Sequence, residues 1–285
     1  MSMASIVKNR NIDPHVLEHV RSRKAIGLDK DGVIVDISEL IFQNRLRGFN
    51  SVGLDFHYSP KTTYLLGGLD ERYNGGTRPI EVLMAFDRWH EANGRNGLSR
   101  DAALQKMLRD GDVAQIERIV AAHLGPHDAQ TARRIYWWDG GRFFASKGAA
   151  QFVKPRDGAR QAVLELGDMY DGRIAIVTNA HSDAAVTRDL AVAGFTGAEI
   201  AGLKIVYDAK KPSPEGLERA FGGFGVSASD AAYVGDATID VRAAKSYGAT
   251  SISVLGGMGT YKALLEEGTD MIVAGVQELS VMLRA

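Results

Sequence analysis

Apolar positions along the chain fall into two textures. Ala25-Ile26-Gly27-Leu28 is a short apolar run that stops abruptly at Asp29-Lys30-Asp31-Gly32. A run of this length ending in Asp and Gly predicts a buried strand that stops at a loop. From about Gly172 onward short apolar runs alternate with helical patterns. The strand candidates are 173–177, 203–206, 231–235, 251–255 and 271–273. The helix candidates between and after them are 181–193, 214–221, 239–247, 261–267 and 276–283. Such alternation predicts βαβ units, and hence a doubly wound parallel sheet with helices on both faces. Ahead of the first strand, Asp13-Pro14 reads as an N-cap and first helical residue, with Val16, Leu17 and Val20 as its apolar stripe.

Between Asp36 and about Gln151 the period changes to that of amphipathic helices. The segment 79–92 carries Ile80, Leu83, Phe86 and Trp89. The segment 99–109 carries Leu104, Met107 and Leu108, and 113–124 carries Ile116, Ile119, Val120 and Leu124. An all-helical domain over 38–151 is therefore expected inside an α/β core made of 1–37 and 152–285. Tyr136, Trp137, Trp138, Phe143 and Phe144 are expected in the helical core.

Composition narrows the function. Lys and Arg number 34 against 35 Asp and Glu, a formal net charge of −1. Binding to a phosphate backbone through a basic surface is not supported by that balance, so no nucleic-acid partner is expected. There is no Cys, which excludes disulfides, thiolate nucleophiles and Cys-based zinc sites. The first residues lack an apolar stretch of signal-peptide length, and no run of apolar residues reaches membrane-spanning length. The expectation is a cytoplasmic protein with no membrane partner. The sequence does not set its oligomeric state.

The chemistry gathers at expected strand ends. Asp29 and Asp31 end the first strand, where open α/β sheets bind ligands. Taken alone, Asp-Lys-Asp-Gly fits a turn equally well, and an EF-hand loop fails because its Gly stands elsewhere. Thr178-Asn179 ends the next core strand. It offers a hydroxyl and free N–H groups to a phosphate oxygen, or a routine helix cap. Lys211 follows the third strand, a position that also suits a solvated loop lysine. Asp236 and Asp240 bracket the start of a helix, where acids are favourable in any case. In combination, two acidic clusters on one sheet edge repel, and lysine offsets them only in part. A hard cation bound by oxygen resolves that repulsion, and Mg²⁺ suits it. Carboxylate, hydroxyl, lysine and helix N-termini around Mg²⁺ describe a site for phosphoryl transfer.

The four motifs in this order resemble the haloacid dehalogenase superfamily of phosphohydrolases. Asp29-Lys30-Asp31-Gly32-Val33, Thr178, Lys211 and Gly235-Asp236-x-x-x-Asp240 match its motifs I to IV. The stretches 153–158, 254–260 and 266–272 resemble the phosphoglycolate-phosphatase-like branch. The resemblance covers about 24–38 and 152–285. It implies that the helical insertion between motifs I and II is a cap. It also implies that Asp29 is the nucleophile and Asp31 the general acid/base. Thr178, Asn179 and Lys211 would bind the phosphoryl group. Asp29, Asp236 and Asp240 would hold Mg²⁺, with Asp31 adding its backbone carbonyl. The implied activity is Mg²⁺-dependent hydrolysis of a small phosphorylated metabolite through an aspartyl-phosphate.

Asp31 argues against dehalogenases and phosphonate hydrolases of the superfamily, which lack that carboxylate. A hexose-phosphate mutase shares these motifs but carries a His in the helix after motif I, where 38–43 has none. A non-catalytic binding module on the same fold is the other alternative, and predicts damaged motifs. Gly257-Met258-Gly259 fails the dinucleotide fingerprint, because Lys262 stands where its third Gly belongs. In the helical region, 66–72 reads as a Gly-hinged loop, with Arg72 as the substrate-anion contact. Lys30 replaces the family's usual apolar residue. It either adds a cation for a second anionic group of the substrate or points along the domain boundary. His181 is expected at a solvated helix N-terminus.

Overall fold

The computed structural model describes residues 13–68, 77–94, 97–137 and 140–285. The chain divides into two compact units, one of residues 1–36 with 153–285, the other of 37–152.

Among the described residues the first unit holds eight strands. They are β1 (Ala25–Leu28), β2 (Val35–Asp36), β3 (Lys154–Pro155), β4 (Ile174–Val177), β5 (Lys204–Val206), β6 (Ala231–Gly235), β7 (Thr250–Val254) and β8 (Met271–Val273). Six of them form one sheet in the order β5-β4-β1-β6-β7-β8, parallel throughout. The central strands are buried along their whole length, as a sheet covered on both faces requires. Helices 159–169, 183–192, 215–222, 238–247 and 276–284 connect or follow the strands. Leu217, Ala220 and Phe221 of one helix and Ala243 and Ala244 of another pack on Ala25, Ala175, Val177 and Tyr233. The two short strands β2 and β3 pair antiparallel, Val35 opposite Pro155 and Asp36 opposite Lys154.

Strand order places the site. From β1 the chain builds β4 and then β5 on one side, and returns to place β6 on the other. The order therefore reverses between β1 and β6. In open α/β sheets the crevice beyond the carboxyl ends at such a point binds ligands. Leu28 is in register with Ile176 of β4 and Val234 of β6, so the three strand ends lie side by side.

The second unit is helical, with helices 38–51, 60–67, 78–93, 100–110, 113–123, 128–137 and 140–145 and a short 3₁₀ segment at 147–152. Phe49, Leu66, Ile80, Leu83, Phe86, Leu104, Ile116, Ile119 and Ile135 make its core. Tyr136 packs against that core, and Phe143 and Phe144 are half-buried. Trp138 lies outside the described residues. Ser99 caps the helix 100–110 and Asp112 the helix 113–123 through their side-chain oxygens, which fixes those two starts. Helices 38–51, 60–67 and 128–137 bury apolar residues too few or too uneven to give a clean period.

Candidate active site

Asp29 immediately follows β1 and is 7% exposed. Its N–H donates to the Val234 carbonyl at 2.8 Å, which extends the β1–β6 ladder through the residue. Its Oδ1 accepts from the Lys30 N–H at 2.7 Å. After it the chain turns sharply. Ile34 and Val35 both donate to the Lys30 carbonyl, and Gly32 donates to that of Val35 at 2.7 Å. Gly32 has φ +77°, a conformation that glycine adopts without strain.

Thr178 follows β4 and is 1% exposed; its hydroxyl accepts from the Ala180 N–H at 3.2 Å. The next residue, Asn179, spends both ends of its amide on Lys211. Its Oδ1 accepts from the Lys211 N–H at 2.8 Å and its Nδ2 donates to the Lys211 carbonyl at 3.2 Å. The side chain expected at the phosphate therefore secures the lysine loop. Ala209 N–H donates to the Thr178 carbonyl and Asp208 N–H to that of Ala180. These bonds hold a loop in which Asp208 and Lys210 have positive φ, an uncommon state for residues with a side chain.

The ammonium of Lys211 is sealed inside the site. It lies 2.9 Å from Asp29 Oδ1 and 2.7 Å from Asp240 Oδ1, and donates to the Tyr233 hydroxyl at 3.1 Å. Tyr233 in turn donates to the Val177 carbonyl at 3.0 Å. The other oxygen of Asp240 accepts from the N–H groups of Asp236 and Ala237 at 3.1 and 3.0 Å. Asp236 Oδ2 accepts from the Met258 N–H at 2.6 Å. A Cβ at Gly32 or at Gly257 would overlap the Asp236 carboxylate, so both must lack a side chain for Asp236 to stand there.

Asp29, Asp236 and Asp240 each bring a carboxylate oxygen within 4.8 Å of the others, and all three are buried. Burial, joined by the charges of Asp240 and Asp31, outweighs the opposing pull of Lys211 and raises Asp29 to about 7. Burial, with Asp240 and Asp29 beside it, also holds Asp236 well above the usual carboxylate range. Burial works against the charge on Lys211, but Asp240 and Asp29 outweigh it and raise the group well above its ordinary value. One ammonium among three buried carboxylates leaves negative charge unbalanced. Oxygen donors that are hard, buried and short of positive charge suit a hard divalent metal ion. The Asp31 carboxylate is not among these three; it turns to Lys30.

Lys30 corrects the sequence reading. Its side chain is 3% exposed, paired with Asp31 and, at 2.6 Å, with Asp189 Oδ2. Both carboxylates lie with Lys30 in the α/β unit, and the ammonium is spent on them rather than open to an anion. Burial opposes its charge, and Asp31 and Asp189 more than restore it, leaving the group raised. Arg72 lies outside the described residues. His181 is largely exposed and stands 3.0 Å from Asp208. Two residues escaped the sequence reading, Tyr233 and Asp189. A tyrosine inside a buried strand needs a partner for its hydroxyl. Asp189 shares the buried face of its helix with Val186 and Leu190. Those were the signals available.

No described helix is long and apolar enough to cross a membrane. A search of curated proteins finds no match. The solved structures similar to this chain include a candidate phosphoglycolate phosphatase from Lactobacillus delbrueckii subsp. bulgaricus. It is 19% identical with TM-score 0.63, over 92% of this chain and 98% of that one. A predicted phosphoglycolate phosphatase from Haemophilus somnus is 15% identical with TM-score 0.56, over 90% and 96%. A family hydrolase from Deinococcus radiodurans, with phosphate and sodium bound, is 20% identical with TM-score 0.52, over 91% and 94%. At these identities the likeness shows a shared fold. The family model described as haloacid dehalogenase-like hydrolase matches residues 23–248, a span from β1 through the acidic motif at Asp236 and Asp240. The chain belongs to the haloacid dehalogenase-like hydrolases.

Proposed function

We propose that this protein is a Mg²⁺-dependent phosphatase that hydrolyses a phosphate monoester of a small metabolite through an aspartyl-phosphate on Asp29. The observation that carries the reading is the placement of Asp29. It sits buried at the reversal of strand order, beside the Lys211 ammonium at 2.9 Å and within the group of three carboxylates. The phosphate bound in the Deinococcus neighbour supports the same substrate class.

The residues then divide the work. An oxygen of Asp29 attacks phosphorus, forming an acyl phosphate as the ester P–O bond breaks. Asp31 gives its proton to the departing oxygen, then takes one from the water that attacks the aspartyl-phosphate. The products are the free alcohol and inorganic phosphate. Lys211 and Thr178 bind the phosphoryl oxygens, while the Asn179 side chain keeps Lys211 in place. Asp29, Asp236 and Asp240, with the Asp31 carbonyl, would hold Mg²⁺. Bound there, the ion supplies positive charge that lets an anionic nucleophile approach an anionic phosphate. The helical unit of 38–151 is proposed as the cap that selects the substrate, and the core of 1–37 with 152–285 as the part that performs the chemistry.

Phosphate release from a panel of phosphorylated metabolites, ranked by kcat/KM with Mg²⁺ and with chelator, tests the reading. Release that needs the metal and is lost in Asp29→Asn is the expected result. Absence of release from every member, or full activity in excess chelator, overturns it. Interconversion of sugar-phosphate isomers without release of phosphate would mark a mutase instead.

A further inference from the structure

Lys30 lies in the chain between the proposed nucleophile and the proposed general acid/base. Its ammonium meets two carboxylates, Asp31 through Oδ1 and Asp189 through Oδ2. Asp189 stands on the buried face of the helix 183–192 and is 2% exposed. Its Oδ1 accepts from Arg188 twice, at 2.9 and 2.6 Å. A relay of charges therefore runs from Arg188 through Asp189 and Lys30 to Asp31.

The two ends of the relay differ in freedom. Asp189 and Lys30 have side chains 3% exposed, whereas that of Asp31 is 23% exposed. The backbone of Asp31 is fixed by the turn bonds to the Lys30 carbonyl, but those bonds do not set the direction of its carboxylate. The contact from Lys30 does, and Asp189 sets the position of Lys30. One carboxylate would neutralise a buried ammonium. A second one, anchored on a helix, makes the lysine a strut rather than a loose counter-ion.

We propose that Lys30 and Asp189 are positioning residues for the proton transfers of Asp31. Lys30 acts by holding Oδ1 of Asp31, and Asp189 acts through Lys30. The inference rests on the reading of Asp31 as general acid/base. With Oδ1 held, Oδ2 is the oxygen that carries the proton. A protonated carboxyl still accepts a hydrogen bond at its other oxygen. The Lys30 contact is thus compatible with Asp31 before and after each transfer.

The experiment compares two substrates that differ in their need for an acid. An alkyl phosphate must be protonated as it leaves, whereas p-nitrophenyl phosphate departs as a stable phenolate. The constant kcat/KM reports steps up to the first irreversible one, cleavage of the ester. Asp189→Asn should lower kcat/KM for the alkyl phosphate by about tenfold more than for p-nitrophenyl phosphate, the scale of a misaligned acid. Asp31→Asn should show the same split, larger. Lys30→Met should fall between them, and adding Asp189→Asn to Lys30→Met should change nothing further. If Lys30→Met does not fold, Asp189→Asn carries the test, since the neutral amide keeps the side chain's volume but holds the Lys30 ammonium less firmly than the carboxylate does. An equal loss on both substrates in Asp189→Asn, or no loss, overturns the positioning role while leaving the phosphatase reading intact. Wild-type protein that hydrolyses neither substrate overturns that reading and this one with it.

Discussion

Lys211 and Asp240 form the tightest pair at the centre of the site, 2.7 Å apart with both side chains almost wholly buried. Asp240 faces two ways, since its other oxygen holds the N–H groups of Asp236 and Ala237. One carboxylate thus fixes the lysine and the loop that presents a second carboxylate. Asp240→Asn would keep the volume but place an amide N–H against those backbone donors or against the ammonium. Breaking a buried pair costs about 3 kcal/mol or more. We expect Asp240→Asn to lose that much stability in denaturant unfolding and to lose about 100-fold in kcat. A variant with wild-type stability would show that the pair does not hold the loops.

Asp29→Asn should separate stability from activity. Burial makes the ionised carboxylate unfavourable and raises the group to about 7. The amide resembles its neutral form. Without metal, and above about pH 7, the variant is expected to melt higher than wild type. Turnover should vanish, because an amide cannot form the acyl phosphate. Retention of more than about a hundredth of wild-type kcat, a loss under about 3 kcal/mol, excludes Asp29 as nucleophile.

Metal binding should release protons. Asp29 holds its proton more tightly in the folded chain than in the unfolded one, where its value is 3.8. The stability this gives is fully present below pH 3.8 and is lost as pH rises to about 7. Above that, the metal-free fold carries a full charge in a buried place. Mg²⁺ needs the ionised carboxylate, so the rise in Tm on adding it should grow from about pH 5 to about pH 8. Thermal unfolding across that range with and without Mg²⁺ checks this. A metal effect independent of pH would contradict the buried-acid account.

Gly257→Ala should damage the site without a change of charge. Its methyl would overlap the Asp236 carboxylate, forcing it from its place. Higher Mg²⁺ should be needed for half-maximal activity, with kcat down by about tenfold or more. Gly225→Ala is the control. It has positive φ and open space around it, so it should lose about 1 kcal/mol of stability and keep its metal dependence.

The site was legible in the sequence where chemistry coincides with punctuation. Asp29, Thr178 and Asp236 all stand where an apolar run stops, with Lys211 in the loop after another, and a run that stops at a polar residue can be read without a structure. Tyr233 and Asp189 lie within elements rather than at their ends. One reads as a core aromatic and the other as a helix acid. Only the fold shows that Tyr233 is next to Lys211 and that Asp189 faces Lys30. The helix 159–169 buries Ala159, Ala162, Val163 and Leu166, a stripe half made of alanine that gives little apolar contrast in sequence. Helix 38–51 mixes buried Leu40 and Phe49 with buried Asn44 and Gly48, and such a stripe has no clear apolar period.

The pairing of Val35 with Pro155 and Asp36 with Lys154 has a bearing on how such a protein can diversify. The chain leaves the sheet-bearing unit and re-enters it through two neighbouring strands, whose Cα atoms are about 5 Å apart in any antiparallel pair. The points of departure and return form a socket of fixed width. Any foreign domain whose own termini lie about that far apart can be plugged in. Each halving or doubling of the inserted length alters the closure cost by only about 0.6 kcal/mol. The inserted unit, proposed above as the part that selects the substrate, can therefore be exchanged by recombination at two adjacent splice points, leaving the positions of Asp29 and Asp236 untouched.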